Sequence, residues 1–289
     1  MQWKILNPLT STGFLLPDGC GQGRDILIDL SYAGPSLQER LEGFGSGIER
    51  VDSLFITHLH ADHFLPAEAL ELAKAGCRIL IEREAWTLMQ QLRGEGEKGA
   101  LLLASCDEIE SLGVLNFLEP SGEMSVGERH IAWATYRHGN GDIHCDNLAF
   151  LVDAHLFTGD TSITSFFDES RPDDTDLVAR NAGDTRVLFV NIAHLSRKDI
   201  QSRTDLNERR IRNYLTNHGI LEDLVAAIES GSYSDFFAGL DAIVPCHIRK
   251  APLEETATIM REQLLTSALK TGYRYEVLFP DQTDTSLQL

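Results

Sequence analysis

The chain has 289 residues, of which 43% are hydrophobic and 24% charged, enough to enclose a core as one large or two medium domains. Its 44 acidic and 25 basic residues give a formal charge of -19. Such a surface repels polyanions, which argues against extended nucleic acid as a partner but leaves room for a local pocket around one phosphate. Five cysteines, Cys20, Cys77, Cys106, Cys145 and Cys246, stand singly with no CxxC pair, the pattern of reduced thiols and not of a disulfide framework. The start, Met1-Gln2-Trp3-Lys4, lacks a basic segment followed by an apolar run, and no stretch approaches ~18 apolar residues. A cytoplasmic protein without membrane contact is expected, and its oligomeric state is left open.

Taken in chain order, short β-type runs alternate with helical ones. Asp25 to Leu30 reads as a buried strand entered from the glycine-rich turn Asp18 to Gly23, and Asp52 to Thr57 as a second strand. Pro66 to Ala75 reads as a helix with proline in its first turn and Gly76 as its stop. Arg78 to Ile81 is a strand and Glu84 to Leu92 a helix. From about Ile109 to Gly159 the pattern is a β-meander, with strands at His130–Tyr136, Asn147–Val152 and His155–Thr158 and a tight turn at Asp153-Ala154. Arg186 to Ile192 is a strong strand. The segment from about 198 to 237 is polar and helix-rich, read as a helical insertion that covers the site or simply packs. Asp241 to Pro245 returns to the sheet, Leu253 to Lys270 is a long helix, and Tyr273 to Phe279 a last strand. Strands and helices mixed along the whole length imply a layered α/β protein, read as a single domain over 1–289.

Three of the ten histidines fall within His58-Leu59-His60-Ala61-Asp62-His63, directly after a strand. Alternate strand residues share a face, so His58 and His60 leave the sheet on one side, with Asp62 and His63 following in the turn. Imidazole nitrogen and carboxylate oxygen are the common ligands of zinc and related divalent ions. Two ligand groups leaving one loop can serve two adjacent ions.

The run Thr57-His58-Leu59-His60-Ala61-Asp62-His63 resembles the THxHxDH signature of the metallo-β-lactamase superfamily, and later landmarks of that family follow in order. The resemblance implies a four-layer αββα sandwich with metals held at one edge of two sheets. It implies that His58, His60 and a later histidine hold one ion, that Asp62, His63 and a final histidine hold the other, and that a second aspartate bridges both. The bridging residue matches Asp160, where a strand ends in Gly159-Asp160, and the final histidine matches His247 after Ala242 to Cys246. The middle histidine is His138, in His138-Gly139, with His144 as the alternative. Cys246 reads as a small buried filler or a residue that tunes the ligands beside it.

Two divalent ions, zinc first with manganese or iron as alternatives, can share a water, lower its pKa and polarise the bond under attack. The implied activity is hydrolysis of a small ester, a phosphodiester or a lactone, by a metal-bridging hydroxide. Asp62 orients the nucleophile while ligating, and His194 at the end of the 186–192 strand is either an ordinary polar loop residue or the group that donates a proton to the leaving group, with His144 as another candidate donor. No G-x-S-x-G elbow offers a serine nucleophile. His130, His155 and His218 lack motif context and read as surface or structural. Arg249 and Lys250 form a small basic pair beside His247 that could hold a carboxylate or phosphate. The superfamily also contains thioesterases, RNA-processing nucleases and oxidoreductases, and a non-catalytic metal sensor or partner-binding module is the competing class.

Overall fold

The computed structural model describes residues 2–6, 13–18, 24–30, 35–60, 62–91, 97–136, 139–140, 143–144, 146–168, 170, 176–248, 253–279 and 286–288. They form two compact units, residues 1–119 with 280–289, and residues 120–279.

The first unit is built on β1 (Gln2–Ile5), β2 (Phe14–Leu16), β3 (Asp25–Ile28), α1 (Leu37–Gly43), β4 (Val51–Phe55), α2 (Pro66–Lys74), β5 (Arg78–Glu82), α3 (Arg83–Gln91), α4 (Glu97–Ser111) and β6 (Leu115–Leu118). A last strand, Ser286–Gln288, pairs with β1, and the sheet order is that strand, then β1-β2-β3-β4-β5-β6. From β3 to β6 all pairings are parallel. Parallel strands need crossover connections, and α1, α2 and the pair α3–α4 lie in the three that join β3 to β4, β4 to β5 and β5 to β6. Their buried residues Ala69, Leu72, Cys106 and Ile109 share a core with Leu54, Ile56, Ile79 and Ile81. Two of these helices carry a start signal of their own. Ser36 and Glu39 form a reciprocal capping box on α1, and Pro66 opens α2.

The second unit comprises β7 (Ser121–Val126), β8 (Arg129–Tyr136), β9 (Gly139–Asn140), β10 (Ile143–His144), β11 (Asn147–Val152), β12 (His155–Phe157), α5 (Ile163–Phe166), α6 (Leu177–Arg180), β13 (Val187–Asn191), α7 (Arg197–Gln201), α8 (Glu208–Asn217), α9 (Leu221–Ser230), α10 (Ser234–Gly239), β14 (Ala242–Cys246), α11 (Leu253–Thr271) and β15 (Glu276–Val277). The main sheet runs β15-β14-β13-β12-β11-β8-β7, and β9 pairs with β10 in a separate hairpin. Here too one half is parallel, from β12 to β15, and the other antiparallel. The strands β11, β13 and β14 are buried at every position, so they read as continuous apolar runs rather than alternating ones. The 198–237 segment holds most of α7 and α10 and all of α8 and α9. Leu221, Leu224, Ile228, Phe236 and Phe237 from it lie in the same core as Leu188, Val190 and Ile243.

Two expectations from the sequence are corrected. The β-meander does not begin at Ile109, because that residue lies in α4, whose run Ala100 to Ala104 is made of strong helix formers. The last strand contracts from Tyr273–Phe279 to Glu276–Val277, the residues that find a partner in β14.

His155, at the start of β12, is buried against Phe189 with ring centroids 6.4 Å apart. Burial pushes its pKa down from 6.5 to about 4. Between those two values the unfolded chain takes up a proton at this position and the folded one does not, so stability is full above about 6.5 and falls as pH drops toward 4. The expected loss is on the order of 2–3 kcal/mol. Urea titrations at pH 7 and pH 4.5 should show a smaller difference in His155→Gln than in the native chain. Equal differences would remove His155 as a source of the acid sensitivity.

Candidate metal centre

In open sheets with parallel strands, ligands gather beyond the carboxyl ends of those strands. The residues singled out from the sequence sit at such ends in both units. In the first unit, β4 runs into Thr57 and His58. The turn closes when the His60 carbonyl accepts from the backbone N–H of both His63 and Phe64, each at 2.9 Å. His58 and His63 are buried, while His60 and Asp62 are partly open.

The sequence reading passed over the residue that organises this turn. Asp29, one residue past β3, is buried and adopts φ 57°, the left-handed region that an aspartate enters more readily than most side chains. Its carboxylate accepts from Thr57 N at 2.8 Å, Thr57 Oγ1 at 2.7 Å and His63 Nδ1 at 2.7 Å. Burial pushes the Asp29 carboxyl up, and His63 and the Thr57 donors oppose that shift. The Thr57 hydroxyl, committed as donor to Asp29, accepts from His58 Nδ1 at 3.0 Å. One carboxylate therefore sets two tautomers: Nδ1 carries the proton on both His58 and His63, and Nε2 carries the lone pair. His58 Nε2 then faces His60 Nδ1 at 3.0 Å. Two imidazole nitrogens on one tetrahedral zinc would lie about 3.3 Å apart, so this pair is already set at ligand spacing. Arg40 braces the arrangement from behind, donating to the Leu30 carbonyl at 2.6 Å and ion-pairing with Glu68 of α2.

In the second unit the Gly159-Asp160 turn follows β12. Gly159 has φ 57°, and a Cβ there would lie 2.3 Å from the Asn147 amide oxygen, so the turn requires glycine. Asn147 is buried and holds the turn from three sides. It donates to Thr158 O and Thr161 Oγ1, both at 2.8 Å, and accepts from Asp160 N at 3.1 Å. Asn191, at the end of β13, donates its side-chain amide to Asp160 Oδ1. His247, at the end of β14, is buried with φ 57°, an uncommon conformation for a histidine. Its Nδ1 lies 3.5 Å from Asp160 Oδ1. Strained backbone of this kind clusters at functional sites, where surrounding structure holds it. Burial pushes the neighbouring Cys246 thiol far up, in keeping with a filler role.

His194 is buried as well, and its ring lies 5.0 Å from that of Tyr214 and 6.5 Å from that of His218. His218, read from the sequence as surface or structural, is buried. It is 5% exposed, its Nδ1 lies 3.8 Å from Asp160 Oδ2, and its ring stacks toward His247 at 6.4 Å. Nothing in the sequence around His218 marks it. The only trace is Gly219, whose absent Cβ would fall 1.7 Å from the Asn191 carbonyl oxygen. His130 is exposed, as expected. His138, Arg249, Lys250, Cys20 and Cys145 lie outside the described residues, and so does the side chain of His144.

Carboxyl-end loops rich in histidine and aspartate, on two sheets that are each half parallel, define a layered α/β protein with a candidate metal centre. Residues 18–211 match the model of the metallo-β-lactamase superfamily, and the chain belongs to that superfamily. Its fold is the metallo-β-lactamase fold, the αββα architecture expected from the sequence. Among solved structures, yeast PDE1 in its unliganded form matches with a TM-score of 0.68 at 13% identity, covering 99% of this chain and 98% of that one. The short form of human tRNase Z matches at 0.55 and 14%, covering 100% and 99%. CmlA, a diiron β-hydroxylase from Streptomyces venezuelae, matches at 0.58 and 16%, covering all of this chain and 53% of that one. At these identities the likeness is one of fold. No curated protein matches the sequence. Among the described residues, no helix is long and apolar enough to cross a membrane.

Proposed function

We propose that the chain is a dinuclear metal-dependent hydrolase of small ester substrates. By the family pattern, His58, His60 and His138 would hold one divalent ion, Asp62, His63 and His247 the other, and Asp160 would bridge them. The observation that carries the reading is the Asp29–Thr57–His58 and Asp29–His63 hydrogen bonding, which presents lone-pair nitrogens on histidines that a purely structural turn has no reason to orient. When bound, the ions supply a nucleophile at neutral pH and polarise the ester; zinc is the first choice, and the diiron neighbour keeps iron in view.

The protein's own groups divide the remaining work. Asn191 and Asn147 hold the Asp160 carboxylate and its turn in place. His194 delivers the proton to the leaving oxygen, and His218, 3.8 Å from Asp160 Oδ2 and grouped with His194 and Tyr214, orients it or shares that role.

The test is turnover of bis(p-nitrophenyl) phosphate, a simple lactone and a thioester by protein loaded with zinc, manganese or iron. Turnover of at least one ester, abolished by a chelator and restored by metal, is expected. A fully loaded protein inert toward all three would remove the hydrolase reading and favour a metal-binding module without catalysis.

A further inference from the structure

His194 and His218, outside the ligand set implied by the family pattern, stand on neighbouring segments of the second unit. His194 forms an isolated parallel bridge with Ile220. Ala193 N donates to Gly219 O at 3.0 Å, and Leu221 N donates to His194 O at 2.9 Å. These bonds pin the two backbones but leave the imidazole torsions to their surroundings. The two rings cannot hold each other. Their centroids are 6.5 Å apart at 78°, too far for a hydrogen bond between ring nitrogens.

Tyr214 fills that gap. Its ring centroid lies 5.0 Å from that of His194 at 62° and 5.2 Å from that of His218 at 46°, nearer to each than they are to one another. Aromatic rings attract at such separations in edge-to-face and tilted arrangements. The tyrosine stands in the last turn of α8, four residues before His218. It takes no part in the apolar core against which Tyr233 and Tyr273 pack. Among the described residues, α8 buries no side chain, whereas α9 buries Leu221, Leu224 and Ile228. What the ring of Tyr214 meets is the histidine pair, and His218 lies in turn 3.8 Å from Asp160 Oδ2.

We propose that Tyr214 is a positioning residue whose ring holds His194 and His218 at the angle from which an imidazole nitrogen gives its proton to the leaving oxygen. The proposal rests on the hydrolase reading above and adds to it the part played by α8. As the ester bond breaks, the leaving oxygen takes that proton and the imidazole regains one from water. Both contacts are made by the ring, so phenylalanine in place of tyrosine keeps them.

The experiment uses ester pairs that differ in how much the leaving oxygen needs a proton: bis(p-nitrophenyl) phosphate against diphenyl phosphate, and p-nitrophenyl acetate against phenyl acetate. Phenolate is the more basic leaving group and depends more on the proton donor. The metal-loaded native chain is compared with Tyr214→Phe, with Tyr214→Leu, which keeps apolar bulk on α8 but no planar ring, and with Leu215→Ala, which loosens the same helix and keeps the tyrosine. In Tyr214→Leu, kcat is expected to fall about tenfold for the phenyl ester and to stay within about twofold for its p-nitrophenyl counterpart, with KM unchanged. Tyr214→Phe should match the native chain, and Leu215→Ala should affect both members of a pair equally. Equal losses for both members in Tyr214→Leu, or no loss, would overturn the proposal and leave the hydrolase reading intact. A loaded native chain inert toward all four esters removes both readings together.

A second readout needs no turnover. In NMR spectra of the metal-free chain, cross-relaxation between the imidazole protons of His194 and His218 and their backbone neighbours should be native in Tyr214→Phe. It should weaken in Tyr214→Leu, as the freed rings take other rotamers. Unchanged cross-relaxation in the leucine variant overturns the proposal.

Discussion

Replacing Asp29 with asparagine is expected to lower metal affinity and turnover about 10- to 100-fold with little change in fold. Asparagine is nearly the same size and also tolerates the left-handed backbone at φ 57°, so the substitution isolates the loss of the carboxylate. The carboxylate accepts from Thr57 Oγ1 and His63 Nδ1 on one oxygen and from Thr57 N on the other. An amide can accept on only one of those sides. If its oxygen faces Thr57 N, its NH2 group faces two donors; His63 then loses the partner that holds its proton on Nδ1, and the Thr57 hydroxyl no longer orients His58. Both rings become able to place a proton on the nitrogen that an ion requires. Titration against a chromophoric chelator measures the affinity, and far-UV circular dichroism checks the fold. Native affinity in the variant would show that the histidines hold their tautomers without Asp29.

Gly219→Ala is expected to destabilise the protein by at least about 3 kcal/mol, the upper part of the range for overpacking, because the clashing atom belongs to backbone and cannot rotate away. The added Cβ would fall 1.7 Å from the Asn191 carbonyl oxygen. Two hydrogen bonds fix the two segments at this point, Ala193 N to Gly219 O at 3.0 Å and Leu221 N to His194 O at 2.9 Å. Relief of the clash must therefore move His218, His194 or the end of β13. A fall in Tm of roughly 6–12 °C is expected, read by calorimetry. Turnover should fall as well, since Asn191 and His218 both face Asp160. A Tm within 2 °C of native would show that the loop yields freely and is not a fixed part of the site.

The difference between Asp29 and His58 illustrates which parts of the site were legible in the sequence. His58, His60, Asp62 and His63 are dense and local, so their spacing announces metal chemistry before any fold is known. Gly159-Asp160 and His247 became legible only through the family resemblance, which places such residues after strands. Asp29, Asn191 and His218 are polar residues that no local pattern separates from incidental ones. Asp29 joins its partners across 28 and 34 residues, and Asn191 reaches Asp160 across 31. Such pairings arise because parallel strands bring successive carboxyl ends side by side.

The same division holds for the fold. Apolar runs such as Val187 to Asn191 and Ala242 to Cys246 determine strands through burial on both faces, and Pro66 with Gly76 determines the extent of α2. The sequence by itself determined the alternation of strand and helix, the superfamily and the candidate metal-binding turn, because each rests on neighbours along the chain. The tertiary structure alone decided that Asp29 bonds to both Thr57 and His63, that His218 lies beside Asp160, and that Tyr214 of α8 packs against His194 and His218. Those are properties of distance in space, set by strand pairing and helix packing among residues that lie far apart along the chain.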